Sequence, residues 1–375
     1  MSYSEDEIYE FNRVDSYKKL KEAVECILEE DREQDFSKFI YLCKMSAFQG
    51  NEHAQYILGL FYELGVAGIE MFFETDIIAD GKYFEMIDLK KARQWYEKSA
   101  NQDDEMAQYR LGYIYYKGIG VEKNYKKAIR WFGKSKIEYA CFYLGYIYEE
   151  GLGVAIDYEK SIKWYTEAVK LDNADACYNL GLMYRLGKGV DIDYKKAMKY
   201  QTKGAELGSI AAMCQIGYIY DQGLGVEVDY KEAKDWYLKA ANLGYADAQN
   251  NLGYMYEKGI GVEIDYQESV KWYLRAAQQG EAIAKSNLGE MYTNGRGVEV
   301  DYKKAMELYK EALNESTNLE DKSVAIYNIA QMYEKGYGVE VNYEKALILY
   351  KEAASYELEE AKEKVNEFEN KNSLE

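Results

Sequence analysis

The sequence predicts an all-α fold, a solenoid of about eight antiparallel helix pairs with a capping helix at each end. Three observations carry that prediction. A Leu-Gly dipeptide or its near equivalent recurs at Leu58-Gly59, Leu111-Gly112, Leu144-Gly145, Leu180-Gly181, Ile216-Gly217, Leu252-Gly253, Leu288-Gly289 and Ile329-Ala330. Between Leu144 and Leu288 the step is 36 residues four times over, a period that stacked helical repeats produce. Each unit also holds two apolar stripes at helical spacing, separated by an Asp or Asn and, in all but the first, by a Gly-x-Gly turn.

Residues 1–50 read as an N-terminal cap. Tyr17 to Glu30 is amphipathic, with Leu20, Ala23, Val24, Ile27 and Leu28 on one face. Phe36, Phe39, Leu42, Ala47 and Gly50 then fall roughly where Tyr266, Ser269, Trp272, Ala277 and Gly280 fall in a later unit. Residues 51–356 hold the repeats. The steps that depart from 36 locate an insertion at about 66–87, a shortened helix after Trp131, and a lengthened linker around Asn314 to Lys322. The insertion carries Met71, Phe72, Phe73, Ile77, Ile78, Tyr83 and Phe84, so it either folds onto the cap or offers a contact surface. Residues 357–375 read as a C-terminal capping helix and polar tail, with Ala361, Val365 and Phe368 at the spacing of a first helix.

Within a unit the first helix, A, carries Ala248, Leu252, Met255 and Tyr256 on one stripe. Gly253 sits beside it in mid-helix, where glycine costs roughly 0.5–1 kcal/mol relative to Ala, so a surface without a Cβ is expected to be needed for close contact. Gly259 is expected to end helix A in the left-handed region and Gly261 to permit the turn. Asp265 is placed to cap the second helix, B, as are Asp88, Asn124, Asp157, Asp193, Asp229, Asp301 and Asn342. All five Trp of the chain, Trp95, Trp131, Trp164, Trp236 and Trp272, stand in one column of helix B and read as core.

These residues resemble the Sel-1-like repeat family, relatives of the tetratricopeptide repeats, across roughly residues 50 to 356. The resemblance implies a right-handed superhelix with helix A on the concave side, serving as an adaptor in protein assembly, signalling or bacterium–host contact. Members usually allow Pro in the turn after Gly-x-Gly-Val, where this chain has Glu263-Ile264 and Glu227-Val228. Some secreted bacterial members carry paired cysteines in each repeat and have been called β-lactamases. This chain lacks those pairs, which weakens the analogies to secretion and to an enzyme.

Composition narrows the function. A formal charge of −19 opposes non-specific binding to phosphate backbones or anionic lipid, and favours a partner with a basic surface. The first ten residues carry acids where a signal peptide needs a basic then apolar run, and no stretch approaches about 18 consecutive apolar residues. The expectation is a cytoplasmic protein without membrane insertion, its oligomeric state open. Cys26, Cys43, Cys141, Cys177 and Cys214 form no Cys-x-x-Cys pair and read as small buried hydrophobes. His53 is the only histidine, so triads and multi-histidine metal sites are excluded, and it reads as a surface or capping residue. The Gly-x-Gly turns, such as Gly151 to Gly153, follow helices and lack the rest of a phosphate-binding motif. No catalytic residue, cofactor site or metal site is expected.

The columns that differ between units offer a better lead. Counted from the Leu of Leu-Gly at about 100° per residue, positions −2, +2 and +5 are expected to face away from the packed stripe of helix A. They hold Tyr56, Tyr109, Phe142 and Tyr178 at −2, Tyr113, Tyr146, Tyr218 and Tyr254 at +2, and Tyr116, Glu149, Arg185, Asp221 and Glu257 at +5. Aromatic residues crowd the first five units and thin out after the sixth, among mostly acidic neighbours. Rings with polar tips suit an interface, and acids suit a basic partner. These thirteen residues are the candidate surface of a non-enzymatic scaffold that binds a protein or peptide bearing Lys or Arg. The competing reading packs the +2 tyrosines between successive A helices. An exported effector acting on a host protein is the alternative function, and a β-lactamase-like enzyme the more remote one.

Overall fold

The structure is a computed structural model that describes residues 42–72 and 87–372, with side chains described over 42–65 and 87–370. The predicted cap helix at 17–30, Phe36, Phe39, Cys26, most of the insertion and the last three residues lie outside the described residues. The described chain is helical, with no strand, and divides into two compact units at Ile192/Asp193.

The first unit opens with a helical stretch at 42–48. It continues with α1 (Glu52–Phe72), α2 (Leu89–Ala100), α3 (Glu105–Lys117), α4 (Tyr125–Phe132), α5 (Glu138–Glu150), α6 (Tyr158–Lys170) and α7 (Ala174–Leu186). The second unit holds α8 (Tyr194–Glu206), α9 (Ile210–Gln222), α10 (Tyr230–Asn242), α11 (Ala246–Lys258), α12 (Tyr266–Gln278) and α13 (Ala282–Asn294). It ends with α14 (Tyr302–Glu315), α15 (Leu319–Lys335), α16 (Tyr343–Ser355) and α17 (Glu359–Asn372). Odd-numbered helices through α15 are A helices and even-numbered ones are B helices. Inside each unit every helix packs on its neighbours in sequence, as a solenoid requires.

Local chemistry sets the boundaries. The eight Asp and Asn residues proposed as caps all cap B helices; Asp265, for example, accepts from the Glu268 backbone N–H at 2.9 Å. Gly259 closes α11 at φ 71°, ψ 33°, and its N–H reaches the Met255 carbonyl. Gly65 occupies the same column in α1 with φ 69° but ψ −170°, so the helix breaks there and resumes in a new direction through Phe72. The insertion therefore begins as helix. Gly50, at φ 96°, repeats the conformation of Gly208, Gly244 and Gly280, which supports reading 42–48 as the end of a B helix.

Packing explains the Leu-Gly dipeptide. A Cβ on Gly59, Gly112, Gly145, Gly217, Gly253 or Gly289 would come within 2.4 to 2.7 Å of the ring of Tyr96, Phe132, Tyr165, Tyr237, Tyr273 or Tyr309 on the following B helix. The ring packs against bare backbone. In the eighth pair Ala330 takes that place and still packs with Tyr350, so one methyl is tolerated when the neighbours shift. These rings, and not the tryptophans, are the deepest aromatic groups. Tyr96, Tyr165 and Tyr273 are fully buried, whereas Trp131, Trp164 and Trp236 are only half-buried. The Trp column is mixed: Trp95 and Trp272 are buried as expected, while the other three sit at the rim of the core, and Lys98 lies 3.9 Å from the Trp95 ring and Lys239 3.8 Å from that of Trp236.

Two irregular steps are resolved. Helix α4 has 8 residues where the other complete B helices of the first unit have 12 and 13, which accounts for the short step. The long step is not a longer linker as expected: the added residues extend α14 to 14 residues and α15 to 17, and Leu319 to Lys322 form the first turn of α15. Helix α17 closes the second unit, with Ala361 fully buried and Val365 and Phe368 against Tyr350.

Candidate functional site

The +5 column does not face away from the pair. Its carboxylates receive the hydroxyl of the B-helix tyrosine that packs on the glycine. Tyr96 donates to Glu63 at 2.7 Å, Tyr165 to Glu149 at 2.9 Å, Tyr273 to Glu257 at 2.9 Å and Tyr350 to Glu334 at 2.6 Å. A cation from a later repeat then reaches the same carboxylate. Arg110 bonds Glu63 through two nitrogens at 2.8 Å, Lys188 meets Glu149 at 3.1 Å, Arg296 meets Glu257 at 3.2 Å and Lys364 meets Glu334 at 3.3 Å. Glu63 and Glu257 are buried. In the first, third, sixth and eighth pairs a tyrosine on a glycine or, in the eighth, on Ala330, a glutamate and a following cation therefore form a ladder that holds the pair together and ties it to what comes next. The expectation that Glu149 and Glu257 stand open to a basic partner is corrected: their charge is already answered from within the chain.

The second pair is one of those without this ladder, and it fills the joint with rings. Phe132 has no hydroxyl to donate, and the +5 position facing it is Tyr116 instead of an acid. The next A helix supplies Tyr143, stacked on Phe132 at 5.4 Å with an 11° interplanar angle and 5.0 Å from Tyr116. Three polar partners have been exchanged together for three rings. Around them gather Tyr109, 6.0 Å from Phe132 and 6.2 Å from Tyr139, and Tyr113, 5.6 Å from Tyr143. Tyr113, Tyr116, Tyr143 and Tyr146 are half-buried and Tyr139 is 47% exposed, so the cluster reaches the surface along α3 and α5. Arg110 and Lys117 lie 5.5 and 5.9 Å from the Tyr113 ring.

Burial, with smaller contributions from neighbouring tyrosines, pushes the Tyr116 hydroxyl up to about 12 and raises those of Tyr109 and Tyr143. These hydroxyls stay neutral at physiological pH, so the cluster offers apolar area and neutral hydrogen-bonding groups. Burial likewise raises the Cys43 and Cys214 thiols to about 12 and the Cys141 thiol to about 11, which keeps them protonated. His53 Nδ1 lies 2.7 Å from Oδ2 of Asp104, the N-cap of α3, and so bridges the first two pairs. Among the described residues no group of His, Cys, Asp and Glu is arranged to hold a metal ion.

Of the thirteen candidate residues, the structure brings together Tyr109, Tyr113, Tyr116, Phe142 and Tyr146, with Phe142 5.4 Å from Tyr143 and Tyr146 near Tyr116. Tyr56 is buried, 5.8 Å from the Tyr96 ring. Tyr178 and Arg185 are half-buried in α7, Tyr218 and Asp221 are half-buried in α9, and Tyr254 is 46% exposed on α11. Sequence reasoning missed Tyr139 and Tyr143. The signal for Tyr143 was present: in the column just before Leu-Gly, where other units have Ile57, Arg110, Asn179, Gln215, Asn251, Asn287 and Asn328, it is the one aromatic.

Comparison with known proteins decides the family. The Sel1 repeat matches nine segments, at 52–70, 80–104, 105–136, 138–173, 174–209, 210–245, 246–281, 282–316 and 323–355. The chain belongs to the Sel1 repeat family. Eight helix pairs give nine matches because the insertion divides the first Sel1 repeat between α1 and α2. Among solved Sel1-type structures, a protective antigen of uropathogenic Escherichia coli displaying an SLR fold aligns with a TM-score of 0.76 at 28% identity, over 94% of this chain and 71% of that one. A Sel1 repeat protein of Oxalobacter formigenes aligns with a TM-score of 0.60 at 27% identity, over 88% and 90%. In sequence, 112 residues are 29% identical to an ERAD-associated E3 ubiquitin-protein ligase component of Arabidopsis thaliana, over 26% of this chain and 18% of that protein. A further 37 residues are 54% identical to a sel1-like repeat-containing protein of Acanthamoeba polyphaga mimivirus, over 10% of this chain and 6% of that protein. The matched stretches thus span less than a fifth of either relative's length. Sel1 repeats build protein-interaction scaffolds, and among the described residues no helix is long and apolar enough to cross a membrane.

Proposed function

We propose that this Sel1 repeat chain is a scaffold whose tyrosine cluster on α3 and α5 holds a segment of a partner protein, and that the segment carries Lys or Arg. The carrying observation is the break in the ladder at Phe132, Tyr116 and Tyr143, which turns a polar joint into an aromatic one that opens onto the surface. Half-exposed tyrosines give large contact area at little entropic cost and accept cations over their faces. The ladder carboxylates do not attract the partner, since they are neutralised internally. Other acids remain beside the rings: Asp175 near Tyr143, and the exposed Glu150 near Tyr146. The Arabidopsis relative is by name a component of a ligase, which accords with a role in assembly.

The test uses a partner captured from the native cell and identified by mass spectrometry. Replacing Tyr113, Tyr139 and Tyr146 with Ala, which spares the rings stacked on Phe132, should weaken its affinity at least about tenfold, or about 1.4 kcal/mol, with helicity unchanged. Unaltered affinity in a folded triple variant rejects the cluster as the site. Exchanging Lys and Arg of the bound segment for Gln tests its basic character separately.

A further inference from the structure

The same unit carries a second surface of opposite sign, on its B helices. Helices α2 and α4 together hold seven Lys and Arg against the single acid Glu97, in a chain whose net charge is −19. Neighbouring α6 has three Lys against two Glu. The cations stand in rows one repeat apart: Lys90 with Lys126, Lys91 with Lys127, and, just past the end of α4, Lys98 with Lys134. Lys90, Lys98, Lys126, Lys127, Arg130 and Lys134 are exposed, and among the described residues none has a carboxylate within ion-pair distance. Other B-helix cations are paired, on this face as where Lys91 meets Asp88 at 3.2 Å, and beyond it as where Lys160 meets Asp157 at 2.7 Å, Lys170 meets Glu167 at 2.8 Å and Lys271 meets Glu268 at 2.8 Å.

Three further features shape this face. Aromatic rings hold several cations in place, with Lys98 at 3.9 Å from Trp95, Lys134 at 5.0 Å from Trp131 and Lys127 at 4.9 Å from Tyr115. A shallow groove runs between α2 and α4, lined by Arg93, Glu97, Tyr115, Glu122, Asn124 and Lys127, and Glu97 is answered by Arg93 at 3.7 Å and the Tyr115 hydroxyl at 3.5 Å. Beside the Trp95 ring, 5.2 Å away and edge-on, stands Phe48, which is 72% exposed.

We infer that this face docks an acidic protein segment that also presents apolar side chains. Unpaired cations call for carboxylates, and the exposed Phe48 with the half-buried Trp131 calls for apolar contact, a combination that spaced Asp or Glu among aliphatic residues satisfies. A continuous phosphate backbone fits less well. It offers no apolar side chain to Phe48 and Trp131, whereas an acidic segment with aliphatic residues does.

The experiment measures fluorescence anisotropy of the full chain with a labelled peptide in which Glu alternates with Leu. It runs in parallel with a single-stranded RNA of equal charge and with anionic lipid vesicles. The peptide should bind, weaken as salt rises, and weaken at least about tenfold when Lys90, Lys126 and Arg130 become Glu, with circular dichroism unchanged. A second variant with Gln at those positions should lose less, and Phe48→Ala should lose affinity without altering the salt dependence. The Tyr113, Tyr139 and Tyr146 variant should bind the peptide normally, which separates this face from the tyrosine cluster. Absence of peptide binding, binding indifferent to the charge reversals, or tighter binding of the RNA or the vesicles would each overturn the inference.

Discussion

The joint built on Tyr273 and the joint built on Phe132 occupy the same place in the repeat and solve it with opposite chemistry. At Tyr273 a buried hydroxyl meets Glu257, which is in turn held by Lys258 and Arg296. At Phe132 every polar partner is gone and stacked rings fill the space. Both rings lie on a bare glycine and both are fully buried. Between these two joints the ring is the shared element and the polar wiring is the one exchanged, although the fourth pair carries buried Gln201 in the ring's column. Partners are replaced and not merely lost, as at Tyr309, whose hydroxyl lies 3.2 Å from Thr293 Oγ1 in place of a carboxylate, because a buried polar group left without a partner costs more than the bond it lost.

Removing the ring should erase the difference between the two joints. Tyr273→Ala and Phe132→Ala each open a large cavity against Gly253 or Gly112, and each should cost about 3–5 kcal/mol by chemical denaturation. A markedly smaller loss at Phe132 would show that the shortened α4 already packs loosely. Exchanging only the hydroxyl should separate them. Tyr273→Phe removes one donor from buried Glu257 and should cost about 1–3 kcal/mol; Phe132→Tyr places a hydroxyl where no carboxylate waits and should cost a similar amount. Combined with Tyr116→Glu, Phe132→Tyr should recover about 0.5 kcal/mol or more relative to additivity. Strict additivity would deny that the two columns are coupled.

That coupling also explains what could be read from sequence. The period, the caps, the cap glycines and the Leu-Gly dipeptide are local or strictly repeated, so eight helix pairs were legible before any coordinates. The orientation of the +5 column was not. Helical angle alone places Glu257 away from the stripe formed by Leu252 and Met255, but a helix in a solenoid has neighbours on more than one side, and Tyr273 comes from one of them. The tryptophan column was read as core and is so at Trp95 and Trp272, but at Trp131, Trp164 and Trp236 the wide indole rests at the rim, while the narrower tyrosine ring fits over bare backbone. Tyr143 was visible as an exception in its column. Its meaning required knowing that the column meets the previous pair.

The cation that completes each ladder provides a weaker probe. Arg110 grips Glu63 through two bonds at 2.8 Å with its side chain 23% exposed, while Arg296 makes one bond of 3.2 Å to Glu257 and is 38% exposed. Arg110→Ala should therefore cost about 1–3 kcal/mol, the scale of charge-assisted bonds to a buried acid. Arg296→Ala should cost less than about 1 kcal/mol, because solvent screens it and Lys258 still contacts the same carboxylate. Equal losses at the two sites would mean that burial of the acid, and not the geometry of the cation, sets the strength of the joint.

The smallest effect concerns carboxylates that no ladder serves. Burial raises the pKa of Glu281, with Asp247 and Asp321 adding to it, and burial also raises that of Asp321. A carboxyl raised in the folded state binds its proton more tightly there. Its stabilisation is present below the unfolded value and is lost as pH rises through the folded one. Mild acidification from neutral pH should thus stabilise this part of the second unit, before acids with lowered pKa, such as the cap Asp193, begin to protonate and reverse the trend. Asp321→Asn removes one of these acids and relieves Glu281. It should raise the melting temperature at neutral pH by an amount worth under about 1 kcal/mol and flatten the gain on acidification. Melting curves of wild type and variant at pH 7 and pH 5.5 provide the check, and an unchanged slope would show that these acids are solvated in the folded protein much as in the unfolded chain.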